Sequence, residues 1–583
     1  MKKISRILAI ILALVMVLSG SVFAAWVSFQ KNANNNGVID GNPPIGRVKV
    51  TSLQLPSGGY VGVDVPPVVD SNGYAYVLES AQGSTRLVKV DLANKSIVNT
   101  GAWNGGIVVR DVSAFQLSTP VINEDYIYVA TTDFAQQNVD EAFQTLVSGT
   151  SAWTLTNNNS NNAHPPVFNQ ADGFVKVTDS QTPMGLNFTL SQTFTGVSGD
   201  NLRIECTALG SELSSGTLKV YLNASTTPLI NLDLSAQVGY AVNQSVSNSA
   251  LVNGTNTLKI EIIASADSSA TDPYVYLGTF RFFEENGAVA RYDLSSGAKE
   301  VIVNGIPGQL NTPLTIKSNK LYFGSYYAGG GKYYQANIAS GTTFPVTPVE
   351  FNSGKSHYWA GAYVSSSNAY FGGFDGMLYY PSVSSFSTVT GHSLTVSYGN
   401  ITATDICSSI CYKDYKIYFT SKNGYLWCYD ITNDTPVFSW YADLGAPSTS
   451  TPVVSPNGTV YVGTYNGFTN GSVVAVTAPA SKDNVVGTVH TVFSGKPVQS
   501  SVILKNYSNN TGTDYIYFTT NSSDGAGYCY CVNTSTFNST LEWNTVGKPN
   551  STYTLQGMAA DGNCVVFGND NSMFYIVVAD PTA

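Results

Sequence analysis

At 583 residues this chain can bury one large core and a second, smaller one. A formal charge of −10 removes any electrostatic case for nucleic acid, and only 11% of residues are charged against about 25% in ordinary globular proteins. Tyr, Thr, Ser, Asn and Gly fill the gap, as in strands that show neutral polar faces to water.

Residues 1–24 read as a secretory signal: Lys2, Lys3 and Arg6, then apolar Ile7 to Leu18, then the small-residue site Val22-Phe-Ala24. Loss of those three cations takes the charge from −10 to −13. The apolar run is too short for a comfortable span, and Leu18-Ser-Gly-Ser21 lacks a lipoprotein cysteine. No later segment is apolar enough to cross a bilayer, so the expected product is secreted or held at the cell surface, with no transmembrane segment. Trp26 to Gln30 is expected to form the outer strand of the last repeat, against Leu555 to Val578; a disordered mature N-terminus is the alternative. Asn32 to Asp40 spaces oxygen side chains like a calcium loop. Pro43 stands where the closing acid belongs, so a polar turn is expected.

From Val65 onward the chain repeats. In Ser450 to Val476 an apolar run, a Pro-Asn-Gly turn, the alternating strand from Thr459 and a third apolar strand make a meander. Its central strand recurs as Tyr74-Ala-Tyr-Val, Tyr126-Ile-Tyr-Val, Lys320-Leu-Tyr-Phe, Asn368-Ala-Tyr-Phe, Lys416-Ile-Tyr-Phe, Tyr515-Ile-Tyr-Phe and, worn, Cys564-Val-Val-Phe. Most steps are 43 to 56 residues, the length of a four-stranded propeller blade, and eight copies predict eight blades. The step from Tyr128 to Tyr322 is 194 residues; removing 136–284, which is 149 residues, leaves an ordinary 45. The organisation expected is therefore 25–135 for the first blades, 136–284 as an insert in blade two, and 285–583 for the rest. Nine short strand candidates in the insert, from Ala152–Thr156 to Tyr274–Phe283, predict a two-sheet β-sandwich. The fold class is all-β.

The repeat resembles the PQQ-like repeat of eight-bladed propellers, the family of quinoprotein alcohol dehydrogenases and of an outer-membrane assembly lipoprotein. The resemblance implies a tryptophan near a blade's end docked on its neighbour, and Trp103, Trp440 and Trp543 stand there. Ala250 to Ile262 is similar to a strand region of galactose-binding-like, jelly-roll carbohydrate modules. In the quinoprotein enzymes a vicinal disulfide, a tryptophan and a calcium ion surround the quinone. This chain has no Cys-Cys pair, and the repeat's usual ending has decayed to Asp293-Leu-Ser-Ser-Gly-Ala-Lys. Bound PQQ is not expected; a structural calcium is compatible with the fold.

The seven cysteines are either small buried residues or partly paired, Cys531 with Cys564 being the best-placed pair and Cys206 a free buried thiol. His164, His357, His392 and His490 show no metal-ligand spacing, and no nucleophile elbow, P-loop or His-Glu-x-x-His occurs. Trp153 and Tyr240 are the insert's candidates for stacking on sugar rings, with core packing as the alternative. Tyr326, Tyr327 and Gly329 to Gly331 read as an aromatic hairpin tip, and His357-Tyr-Trp359 as facing the central channel. The function expected is non-catalytic binding of glycans or of envelope or extracellular proteins. The rival is an extracellular enzyme, a quinoprotein-type oxidoreductase or a polysaccharide lyase or hydrolase.

Overall fold

The computed structural model describes residues 25–580, except 57–61, 82–83, 111–117, 137–138, 141, 151, 160–162, 172–173, 197–200, 236–239, 247–250, 327–329, 482, 508–512, 522–526 and 547–556. The expected leader, Tyr327 and Gly329 lie outside the described residues. The fold is all-β and built on repeated four-stranded antiparallel sheets, as a propeller requires.

The sheet that begins at Val453–Val454 sets the pattern: Val460–Asn466, Asn470–Thr477 and Thr488–Ser494 follow in order, each hydrogen-bonded to the last. Sets of this kind begin at Val68, Val121, Thr315, Tyr363, Cys411, Val453, Ile503 and Ala559, here numbered sheets 1 to 8. Shared apolar clusters join sheets 1 and 2, 2 and 3, and so on to 6 and 7. A last cluster joins sheets 7 and 8 and returns to sheet 1. The packing therefore runs round all eight.

The repeated tyrosine is the wedge of the interfaces that follow sheets 1 to 7, with Val566 in its place in sheet 8, and it is almost wholly buried at Tyr76, Tyr322, Tyr370, Tyr461 and Tyr517. Its hydroxyl needs a partner there. Tyr370 donates to the Asp434 carbonyl at 2.7 Å and Tyr461 to the Asp514 carboxylate at 2.8 Å, in each case on the next sheet. The expected docking tryptophans meet the same tyrosines: Trp103 with Tyr76, Trp440 with Tyr418 and Trp543 with Tyr517, at ring-centre distances of 5.5, 6.1 and 6.0 Å.

The termini do meet in the last sheet, but through a different strand from the one expected. Val48–Gln54 pairs antiparallel with Met573–Ala579, from Val48 opposite Ala579 to Gln54 opposite Met573. Trp26 instead exchanges both backbone hydrogen bonds with Val69. Residues 26–44 form a strap along the innermost strands, and there the asparagine run has its use. Val27 O accepts from Ile122 N, and Asn34 O from Tyr412 N. Asn35, 2% exposed, donates from Nδ2 to both Ala362 O and Ile410 O at 2.9 and 3.0 Å. Asn36 accepts from Val454 N and donates to Val454 O, and Gly37 and Ile39 bracket Leu504. A Cβ on Gly41 would strike the backbone of Gly562. Only Asn32, which caps Asn34 N at 3.0 Å, makes the polar turn expected of this stretch.

Between sheet 2's second and third strands the chain forms two further sheets that enclose one core, running from Phe143 to Phe282. Tyr274–Asp293, 20 residues long, belongs to both structures: it pairs with Tyr126–Gln136 in sheet 2 and with Phe174–Thr178 and Asn201–Ser211 beyond it. The strand candidates all appear, joined by Val167–Ala171 and a short helix, Gln144–Ser148. All seven cysteines are free and buried, so Cys531 and Cys564 are not paired: both lie in the apolar cluster between sheets 7 and 8 as small core residues. Cys206 is the free buried thiol expected.

Asn35→Ala should take this donor from Ile410 O, leave Ala362 O with Thr315 Oγ1 at 3.1 Å, and lower stability by about 1–3 kcal/mol, read by urea unfolding. An unchanged midpoint would show that the strap does not hold the inner strands.

Candidate functional site

The two-sheet unit decides the direction of its side chains by alternation. Val175, Val177, Val275 and Leu277 point into its core, so Phe174, Lys176, Tyr274 and Tyr276 must point out of the same sheet. Phe174 is 38% exposed, and its ring stacks on Tyr276 at 5.9 Å with 22° between planes. Tyr276 lies 4.3 Å from Tyr274. Gly278 makes room for this: a Cβ there would come within 3.0 Å of the Phe174 ring. The result is a flat aromatic stripe across two adjacent strands.

The cation at the stripe is paired. Lys176 Nζ lies 4.4 Å over the Tyr274 ring and 2.8 Å from the Asp272 carboxylate. Glu212 fixes that aspartate's loop by accepting from Thr271 N and Asp272 N at 2.6 and 3.1 Å, and these hydrogen bonds hold its carboxyl below the usual range. Further along the same sheet Arg281 faces Glu205 at 3.7 Å. The opposite sheet's outer face carries a single tyrosine, Tyr221, 8% exposed and covered by Lys259 at 4.4 Å.

Of the two expected stacking residues, Trp153 does not belong to this stripe. Trp153 is 3% exposed and packs on Phe143 at 5.2 Å and on Phe280 at 5.8 Å. Its Nε1 donates to Asp140 O at 3.3 Å. It is core, because the short helix and the start of the first strand fold over it. Tyr240 opens Tyr240–Val246, whose backbone pairs it with Ala208; its side chain lies outside the described residues. The alternation in Phe174-Val-Lys-Val and Tyr274-Val-Tyr-Leu was the signal that could have found the stripe.

The four histidines lie apart. His164 is beside Ser180, His392 beside Tyr380, and His490 stacks on Phe537. His357 is fully buried among Tyr333, Phe371 and Tyr379, and Nδ1 donates to Gly372 O at 2.8 Å. Burial pulls its pKa down to about 4. Among the described residues no three His, Cys, Asp or Glu side chains converge as a metal requires.

No protein-family model matches this chain, and no curated protein matches it. Among solved structures it is similar to BamB from Moraxella catarrhalis, at 15% identity over 50% of this chain and 78% of that one, with a TM-score of 0.34. A europium-containing methanol dehydrogenase matches at 10% identity over 93% and 89%, with a TM-score of 0.42. TmCBM61 in complex with β-1,4-galactotriose matches at 16% over 26% of this chain and 98% of that one, with a TM-score of 0.19. All three lie below the level at which a shared activity can be argued.

Trp153→Ala should destabilise the chain by about 3–5 kcal/mol, the cost of emptying a core aromatic site, in thermal or urea unfolding. For His357 the unfolded state takes up a proton as pH falls through about 6.5 while the folded state does not until about 4. Stability should therefore fall across that window, by on the order of 3 kcal/mol in full. Unfolding at pH 7 and pH 4.5 should show a smaller loss in His357→Phe than in the parent.

Proposed function

We propose that this chain is an exported, non-catalytic binding protein: an eight-bladed PQQ-like propeller that carries an inserted β-sandwich, residues 136–284, and binds glycans on it. The stripe of Phe174, Tyr276 and Tyr274 carries this reading. Sugar rings are apolar on their faces and polar at their edges, so partly exposed aromatic rings with hydrogen-bonding groups beside them suit them. Because Lys176 is neutralised by Asp272, a neutral saccharide fits better than a uronate or sulfate. The propeller supplies a rigid mount, since buried interfaces join every sheet to the next and a shared strand joins the mount to the binding unit.

A glycan array read with the full chain tests this. Phe174→Ala and Tyr276→Ala should each weaken binding by about tenfold, as loss of about 1.4 kcal/mol of stacking would. Their melting temperatures should stay near the parent's, because both rings lie on the surface. Silence of the parent on the array, or full binding by both variants, would sink the glycan reading and turn the search to protein partners.

A further inference from the structure

A second set of aromatic rings lies on the loops of sheets 3 and 4, and one of them, Trp359, shares a cavity with residues that precede the innermost strands of sheets 5 to 7. Tyr358 packs on Trp359 at 4.5 Å, on Tyr326 at 5.2 Å and on Phe374 at 6.1 Å. All four side chains are half-buried, so each keeps part of its ring exposed to solvent. Beside Phe374, Lys422 is paired with Asp405 at 3.4 Å, so this cation is neutralised.

Trp359 is unusual in two independent ways. Its φ is +57°, a left-handed conformation that bulky side chains rarely adopt and that is held only by its surroundings. Its indole Nε1 is buried and finds no hydrogen-bond acceptor among the described residues. It lines a cavity of about 20 Å³ together with Cys407, Thr449, Gln499, Ser501 and Phe29 of the strap. Thr449 Oγ1, also buried, has no partner among the described residues either. Every lining residue is uncharged, and burial pushes the Cys407 thiol up to about 12, so the cavity stays neutral. That space holds one oxygen atom with its hydrogen and little more.

We propose that this axial mouth is a second saccharide site, where a neutral sugar ring rests on Tyr358 and its neighbours and one hydroxyl enters the cavity. There the hydroxyl oxygen accepts from Trp359 Nε1 and exchanges a hydrogen bond with Thr449 Oγ1. A charged group would lose its hydration without a counter-charge, whereas a neutral hydroxyl satisfies both orphaned groups. The site shares no residue with the stripe on the two-sheet unit, so the two stand or fall separately.

Isothermal titration calorimetry of the full chain with cellohexaose, mannohexaose and β-1,4-galactotriose decides it. The expected result is that a Phe174→Ala/Tyr276→Ala double variant keeps one weaker site per chain. Thr449→Val, which replaces the hydroxyl by a methyl of similar size, should then weaken that site by about fivefold, and Trp359→Phe, which removes the N–H together with part of the indole ring, should weaken it at least as much. If the double variant loses all binding while the parent binds, the axial site is overturned and the stripe stands. If the double variant binds like the parent and Trp359→Phe does not bind, the axial site stands and the stripe fails. A parent that binds none of the three sugars overturns both. A water alone in the cavity would leave Trp359→Phe and Thr449→Val indistinguishable from the parent in every titration, and would overturn the axial site.

Discussion

Each four-stranded sheet ends at the centre of the ring on a short strand whose free edge is buried. A buried backbone N–H or C=O without a partner costs as much as a lost hydrogen bond, and several sheets placed this way multiply the cost. The strap of residues 26–44 answers that constraint. It gives Val69, Ile122, Tyr412, Val454 and Leu504 their hydrogen bonds and reaches Ala362 and Ile410 through one asparagine. Asparagine suits the task because its amide both donates and accepts and because it tolerates the left-handed backbone found at Asn35, where φ is +49°. Phe29 of the strap also lines the small cavity beside Trp359.

The rest of the ring depends on a neutral version of the same rule. Tyrosine serves as the interface wedge because its ring fills the gap between sheets and its hydroxyl finds a carbonyl or carboxylate, on the next sheet at Tyr370 and Tyr461, on its own sheet at Tyr76 and on the strap at Tyr517. Burial raises these hydroxyls well above their ordinary range, as at Tyr76, Tyr461 and Tyr517, so they remain donors at any working pH. Burial acts on the thiols in the same direction: Cys206, Cys428 and Cys564 are each pushed up to about 12, and none of the three is a poised nucleophile. The low charge content thus expresses interfaces whose donors are uncharged tyrosine hydroxyls rather than cations.

Where aromatic rings are left partly open, they mark the surfaces available for binding. The stripe on the two-sheet unit stays open because core residues alternate with it along both strands, and because Gly278 lets Phe174 lie flat. At the second cluster Tyr326, Tyr358, Trp359 and Phe374 are each half-buried. At both surfaces the nearest lysine is paired with an aspartate.

Much of this was legible in the sequence. The period of the Tyr-containing strand, the long step after Tyr128 and the positions of Trp103, Trp440 and Trp543 follow from local pattern, because strand alternation and tight turns leave their mark within a few residues. The aromatic stripe was also written there, in Phe174-Val-Lys-Val and Tyr274-Val-Tyr-Leu, but alternation gives two faces without saying which is covered. Only the tertiary structure decides that Trp153 is sealed beneath a helix and that Cys531 and Cys564 pack without bonding. It also decides that Trp26 joins Val69 rather than the last sheet, where Val48–Gln54 takes the outer place. The last-sheet pairing and the strap turn on partners hundreds of residues away: Val48–Gln54 meets Met573–Ala579, the asparagines at 34–36 meet carbonyls and amides between Ala362 and Val454, and no local pattern encodes a hydrogen bond whose other half is so distant.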